Sequence, residues 1–201
     1  MSLSSVILLL VGIVIGLGAI RVWDAFWSFR AQSLADYAAP TASAGAPSLA
    51  EWFGGRFDAH GVIYDFSGRV RSRFTADIEG SFADGGGRLS ERFVFSAGNV
   101  DHREWTITMN PDGRRFTATA PDVIGVGEGE IAGDAIRMTY RLMLPERAGG
   151  HVLDVVDWLY RLDDGAIVNR SEMRKFGVKA AELVAVFRPV AQQAALPAAA
   201  E

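Results

Sequence analysis

The sequence predicts an all-β protein: an antiparallel up-and-down barrel of about eight to ten strands, carried behind one N-terminal transmembrane helix. Three observations lead there. The stretch from Leu3 to Ile20 has no charged side chain. Apolar and polar residues then alternate with a period of two through the middle of the chain, the mark of strands with one buried face. Clusters of turn-forming residues separate these runs, and no long amphipathic helix lies between them.

The apolar run ends at Arg21 and is followed by Val22, Trp23, Phe26, Trp27 and Phe29. A spanning helix needs about 20 mostly apolar residues, and aromatic side chains favour the headgroup zone. A cleaved signal peptide would carry a basic start and a small-x-small cleavage site. Met1-Ser-Leu-Ser-Ser has neither Lys nor Arg, and no such site directly follows the run. The segment therefore reads as an uncleaved anchor. Arg21 and Arg30 follow the span, so the positive-inside rule points the rest of the chain towards the cytoplasm. Gly12 and Gly16 could pack two such helices closely into a homodimer, although glycine is also simply common in membrane helices.

Residues 38–48 are small, polar and punctuated by proline, and they read as a tether. The domain limits are thus an anchor over 1–21, a juxtamembrane segment and flexible linker over 22–50, a β-barrel over 51–190 and a disordered tail over 191–201.

Within the barrel region, Val70, Ser72, Phe74, Ala76 and Ile78 alternate with Arg69, Arg71, Arg73, Thr75 and Asp77. Ile136, Met138, Tyr140, Leu142 and Leu144 alternate with Arg137, Thr139 and Arg141 in the same way. Turn signals stand at Asp84-Gly-Gly-Gly87, Ala97-Gly-Asn99, Asn110-Pro-Asp-Gly113 and Asp163-Asp-Gly165. A meander of this length closes naturally, because closure removes exposed edges. The architecture expected is lipocalin- or calycin-like, with room for side chains or one small ligand inside.

Bulk properties exclude several classes of function. The chain has 201 residues, a formal charge of −4 and no cysteine. Its mild acidity argues against a nucleic-acid partner. Lack of cysteine removes disulfides, thiol nucleophiles and cysteine metal ligands. His60, His102 and His151 are scattered, so no metal site and no cofactor are expected. Asp122-Val-Ile-Gly-Val-Gly-Glu-Gly129 is not a dinucleotide fingerprint: the glycine spacing is wrong, and the glycines read instead as permitting a bulge or tight corner.

Candidate site residues are polar groups in apolar register. Glu91 shares a face with Leu89, Phe93 and Phe95, and Arg103 shares one with Trp105, Ile107 and Met109. With Ala97-Gly98-Asn99 as a three-residue loop, Glu91 lies opposite Trp105 and diagonal to Arg103, close enough for an ion pair. Such a pair could fix strand register or anchor a ligand headgroup. Asp157-Trp158 lies in a strand apolar on both faces, one that is either covered outside or distorted. Trp158 is assigned to the core, and Asp157 is expected to pair with Arg170 or Lys175. By parity Asn169 and Lys175 share the side of Ile167 and Met173, which leaves Arg170, Glu172 and Arg174 as a mostly solvated face. Asp122 completes the set.

Trp52-Phe-Gly-Gly55, Ala59-His-Gly61, Asp65-Phe-Ser-Gly68, Glu91-x-Phe93, Arg103-x-Trp105, Ala120-Pro-Asp-Val-Ile-Gly125, Asp157-Trp158, Asn169-Arg170 and Lys175-Phe-Gly-Val178 together carry a resemblance. From about Trp52 to Phe187 the chain resembles the bacterial domain-of-unknown-function family numbered 3833. The resemblance implies an envelope protein facing the periplasm, without an established activity. The resemblance also implies a lipid connection, since genes of that family lie near those of lipid-modifying enzymes such as fatty-acid cyclopropanation enzymes. The chain departs from the lipoprotein form of the family: it has no lipobox cysteine, and an apolar helix stands in its place. Ala120-Pro-Asp122 also replaces an expected acidic pair. The location implied is the bacterial inner membrane, single-pass, with the β-domain in the periplasm.

Three functions follow as expectations. The first is binding of a lipid, fatty-acyl or other apolar molecule in the barrel. The second is an enzyme acting on a lipid-like or isoprenoid substrate, with Glu91, Asp122, Asp157 and Lys175 as acid–base groups. No nucleophile elbow surrounds Ser90 or Ser171, so the sequence leaves enzymatic activity open. The third is a structural or assembly factor of the envelope.

Overall fold

A computed structural model describes residues 2–27, 33–37, 48–83 and 85–190. The linker positions 38–47 and the tail 191–201 lie outside the described residues, as does Arg30. The chain divides into two compact units, Met1–Asp36 and Tyr37–Glu201.

In the first unit, α1 spans Leu3–Trp27 and continues past the boundary expected at residue 21. Its stretch Leu3–Trp23 has a mean hydropathy of 2.7 and no buried position. It is long and apolar enough to cross a membrane. A helix that is apolar all round has no face for water and none set aside for a soluble core.

The second unit is a closed ten-stranded antiparallel barrel. Its strands are β1 (Gly55–Asp65), β2 (Val70–Ala83), β3 (Gly86–Phe95), β4 (Val100–Met109), β5 (Arg115–Thr119), β6 (Gly127–Ala132), β7 (Ala135–Met143), β8 (Val152–Arg161), β9 (Ile167–Lys175) and β10 (Val178–Pro189). Each strand pairs with its sequence neighbours, and β10 pairs back onto β1 with Ala59 opposite Phe187. Closure leaves no free edge strand among the described residues. The alternation read in the sequence maps onto the wall: Phe74, Ala76 and Ile78 face inward while Arg73, Thr75 and Asp77 face water.

One end of the barrel is plugged by a single-turn helix, α2 (Leu49–Phe53). Ser48 caps it: its hydroxyl accepts from Glu51 N, while Glu51 Oε2 accepts from Ser48 N at 2.7 Å. This reciprocal capping box fixes the helix start. Leu49, Trp52 and Phe53 then fall on one face at i, i+3 and i+4, and all three join the barrel core. Gly80 makes the fit possible, since a Cβ there would lie 1.8 Å from the Phe53 carbonyl oxygen. The core therefore begins at Leu49, inside the segment expected to be linker; the capping pattern Ser-x-x-Glu was its available sequence signal.

The interior near α2 is dry. Phe57, Phe116, Ile131, Ile136 and Ile167 are all at most 5 % exposed. Interior-facing residues at the opposite end, among them Ile63, Phe93, Phe95, Met173 and Leu183, are only half-buried. This end, the mouth, is the less tightly closed of the two. The barrel is a cup with α2 as its base.

The outer face of β8 and β9 differs from the expectation. Trp158 is 1 % exposed but lies on the outer side of β8, where it stacks on Tyr160 and tilts against Tyr37 at 5.9 Å. The parity of β8 explains this, because Leu153, Val155 and Leu159 occupy the inner side. Of the alternatives read for this strand, covered outside is the one realised. Glu172 and Arg174, expected to be solvated, are also buried, with Arg174 Nε 2.6 Å from Glu172 Oε1. Arg174 also donates to the Gly177 carbonyl at 2.8 Å. Mutual charge pairing is what allows such groups to leave water.

Candidate functional site

Glu91 and Arg103 stand directly opposite each other on β3 and β4, with Leu89 opposite Trp105. The expected offset was wrong by one loop residue. The three loop residues are Ser96, Ala97 and Gly98: Gly98 N bonds to Phe95 O, and Phe95 N bonds to Asn99 O. Gly98 takes φ +89, the left-handed position that closes such a hairpin with a bulge.

The ion pair exists but is not the dominant one. Arg103 Nη1 is 3.8 Å from Glu91 Oε2. The guanidinium is instead clasped by Asp122, with Nε 3.1 Å from Oδ1 and Nη2 2.7 Å from Oδ2. Two parallel charge-assisted bonds of this kind outweigh one long contact. Topology brings Asp122 there. β5 pairs with β4 only over Thr106–Met109, so the upper half of β4 lacks a strand on that side. The β5–β6 connection fills the gap. Continuing the β4–β5 register places residue 122 across from 103, and Met143 N and Ile124 N tie the connection to β7. Gly125 turns this connection at φ +75, the corner read from sequence, while Gly129 leaves space for the Phe116 ring, a close approach not foreseen there.

Arg103 also lies 5.5 Å from the centroid of Trp105 and 5.8 Å from that of Phe93. Both distances are within cation–π range. Burial opposes its charge, but Tyr140, Glu91 and Asp122 around it raise its pKa further. The Trp105 indole donates to Glu91 Oε2 at 3.2 Å. Burial pushes the Glu91 carboxyl up to about 7, against the pull of Arg103 and the indole.

A second polar group faces the first across the interior. Trp105 meets Tyr140 edge-on at 5.2 Å. Beside Tyr140, burial pushes the Asp157 carboxyl up to about 6, against the pull of Ser171 and Tyr140. Burial and the Asp157 charge raise the Tyr140 pKa as well, so it stays a donor. Ser171, the cross-strand neighbour of Asp157, also holds that carboxyl down, and its hydroxyl lies 3.1 Å from Asn169 Oδ1. Asp157 Oδ1 is buried without a hydrogen-bond partner among the described residues. A buried carboxylate oxygen in this state is costly and is relieved by a proton or by a donor from outside.

Asp157 thus meets neither of its expected partners. Arg170 points outward to Glu182 at 2.7 Å. Lys175 sits at the mouth, with Nζ 2.8 Å from His151 Nδ1. Asn169 is buried inside and reaches the Trp158 carbonyl at 3.5 Å. Of the candidate residues, Glu91, Arg103, Trp105, Asp122, Asp157 and Asn169 converge inside the cup. Trp158 lies outside it and Lys175 on its rim. Sequence reasoning did not select Tyr140 or Ser171, although parity already placed both on inward faces.

The chemistry available is specific. The fork of Arg103 is occupied by Asp122, so the cluster is not an open anion hole. Two carboxyl groups that titrate near neutrality, one with an unpartnered oxygen, present acceptor and exchangeable-proton functions to a ligand donor. They sit below a wall of half-buried apolar side chains. Among the described residues no group of His, Asp and Glu is arranged to hold a metal ion.

On the outer wall a groove of about 630 Å³ crosses β10, β1, β2 and β3, bordered by His60, Val62, Tyr64, Val94, Val184 and Val186.

The fold is similar to that of the S-type phycobiliprotein lyase CPES from Guillardia theta, with a TM-score of 0.53 at 8% identity over 73% of this chain and 95% of that one. A redesigned β-barrel, mFAP0, bound to DFHBI gives a TM-score of 0.38 at 10% identity over 68% of this chain and 98% of that one. A fluorescence-activating β-barrel of de novo design gives 0.37 at 12% identity, covering 72% of this chain and 99% of that one. No curated protein matches the chain. A family profile does, over residues 24–189, and the chain belongs to that family, described as Protein of unknown function (DUF3833).

Proposed function

We propose that this protein is a membrane-anchored envelope barrel that binds a lipid or other apolar small molecule in its open end. The single observation that carries the reading is the asymmetry of the interior. It is dry above α2 and half-exposed at the mouth, with the Glu91–Arg103–Asp122 and Tyr140–Asp157 groups between. A binding pocket is commonly an apolar wall with a few convergent polar groups, and this cup has both. The unpartnered Asp157 oxygen and the protonated fraction of Glu91 favour a ligand whose polar end carries hydroxyl or amine donors. α1 supplies the anchor over 1–21 and a short continuation, the segment before Ser48 acts as the tether, and the barrel faces the periplasm from the inner membrane. The Gly12–Gly16 face of α1 is the dimer contact in this reading.

The test is extraction of the purified full-length protein followed by mass spectrometry of retained small molecules, alongside uptake of a fluorescent fatty-acid probe. The expected result is a retained lipid, and probe uptake lost in Met173→Lys at the mouth but kept in His60→Ser on the outer wall. An empty extract together with no uptake overturns the reading. A C-terminal alkaline-phosphatase fusion tests orientation, and an inactive fusion refutes the periplasmic placement.

An enzyme acting on a lipid-like substrate is a second reading. Its support is the pair of raised carboxyl groups beside Tyr140, which could move a proton within a sheltered space. Turnover of a bound lipid during incubation, absent in Asp157→Asn, would favour it over binding alone. An assembly role has the outer apolar groove as its support.

A further inference from the structure

Most of the exposed large apolar side chains of the barrel gather at the mouth end. Phe66 is 75% exposed, Val70 58%, Phe176 89% and Val178 70%. They sit on the β1–β2 and β9–β10 hairpins, which are neighbours because β10 pairs with β1. Single exposed apolar residues need no explanation, but a cluster on adjacent loop tips does.

Phe176 makes the case sharper. Lys175 pairs with Val178, so Phe176-Gly177 is a two-residue hairpin loop. Its φ values are +53 and +80, the mirror-image turn in which Asn-Gly is the favoured pair. Phe176 is the one non-glycine residue with positive φ among the described residues. A bulky side chain is strained there and gains nothing from packing, being nearly fully exposed. Neither folding nor solubility accounts for phenylalanine at this position.

The flanking charges are basic. Arg69 and Arg71 are exposed beside Phe66 and Val70, and Lys175 lies over the Phe176 ring at 5.6 Å. Asp65, the acidic residue of the same hairpin, is turned into its own loop by Ser67 and Arg69 N. Apolar tips ringed by cations match the boundary of an anionic bilayer, where rings enter the acyl region and cations meet the headgroups.

We infer that the mouth of the barrel docks on an anionic lipid surface through Phe66, Val70, Phe176 and Val178, with Arg69, Arg71 and Lys175 holding the headgroups. This placement opens the cup towards acyl chains. It stands on the rim alone, so an empty cup would leave it intact.

The chain contains no cysteine, which allows single labels. Val178→Cys at the rim and Asp163→Cys at the base are each coupled to a polarity-sensitive fluorophore. Each is reconstituted into vesicles of phosphatidylcholine with phosphatidylglycerol that also contain a nitroxide-bearing acyl chain. The expected result is a blue shift and quenching of the rim label, with neither at the base. Quenching falls in pure phosphatidylcholine, in high salt and in Arg69→Glu with Arg71→Glu. It is lost in Phe66→Ser with Phe176→Asn, a variant whose turn residue suits the mirror-image loop and whose fold is retained. Equal signals from both ends overturn the inference. So does a blue shift of the rim label in vesicles without quenching by the nitroxide-bearing chain, which would assign the rim to a second copy or another protein.

Discussion

The two ends of the barrel are built on opposite principles. At the base, α2 seals an aliphatic and aromatic core in which Trp52 is 1% exposed and Ile131 and Ile167 not at all. At the mouth, interior side chains are half-exposed, charged groups lie just below them, and phenylalanines stand in water. Each strand has a neighbour on both sides, apart from the upper half of β4 where the β5–β6 connection stands in, so strand pairing accounts for little of the difference. It comes from what fills the lumen. The base spends its side chains on packing, and the mouth leaves them available. Stability should therefore concentrate at one end and ligand contact at the other.

The largest test of that division is at the plug. Trp52→Ala removes a fully buried indole and should cost about 3–5 kcal/mol of unfolding free energy, read by chemical denaturation. A cost below about 1 kcal/mol would mean that α2 is a loose lid, and the contrast between the ends would collapse.

The waist between the ends should reveal itself through pH. Glu91 and Asp157 hold their protons more tightly in the folded barrel than in the unfolded chain, at about 7 and about 6. Their contribution to stability is complete below the unfolded carboxyl range and is lost as pH rises through 6 and then 7. Unfolding free energy should fall by roughly 3 kcal/mol between pH 5 and pH 8, and Glu91→Gln should flatten the upper part of that fall. A curve that rises over this window would place both groups in a wetter setting than the waist of this cup.

Arg103→Ala is expected to cost less, about 2 kcal/mol. Asp122 is one-third exposed and can return to water, while Glu91 can keep its proton. The distinguishing readout is the Glu91 titration, followed by carboxyl NMR, which should move above 7. At the rim the sign reverses. Phe176→Asn should stabilise the barrel by about 1 kcal/mol by relieving a strained turn. The smallest effect is assigned to Lys175→Met, within about 0.5 kcal/mol, because the lysine meets His151 at the exposed mouth and does not pin strands. A loss of several kcal/mol there would restore a structural role for it.

Much of the wall was legible in one dimension. The period-two runs of β2 and β7 carried their inward residues correctly apart from Val70, which is exposed at the mouth, and parity put Glu91, Arg103, Asn169 and Ser171 inside. Register was less secure, since moving a hairpin loop by one residue shifts every cross-strand partner by two. That is why Arg103 was matched to the right strand at the wrong offset. Partners beyond the next strand were out of reach altogether. Asp122 meets Arg103 because β5 is too short to flank the upper part of β4, and Tyr140 meets Asp157 because of the β7–β8 pairing. Trp158 was misplaced because burial on the outer face looks, from composition, like burial in the core.

What the sequence determined by itself was the kind of structure: an apolar N-terminal helix, an antiparallel meander, and which side chains share a face. These depend on local periodicity and turn chemistry, which act over a few residues. The tertiary structure decided which end of the barrel is sealed, which acid Arg103 clasps and which carboxylate oxygen goes without a partner. Those outcomes depend on barrel closure, strand length and the seating of α2 on Gly80, contacts between residues far apart in the chain whose geometry no local pattern encodes.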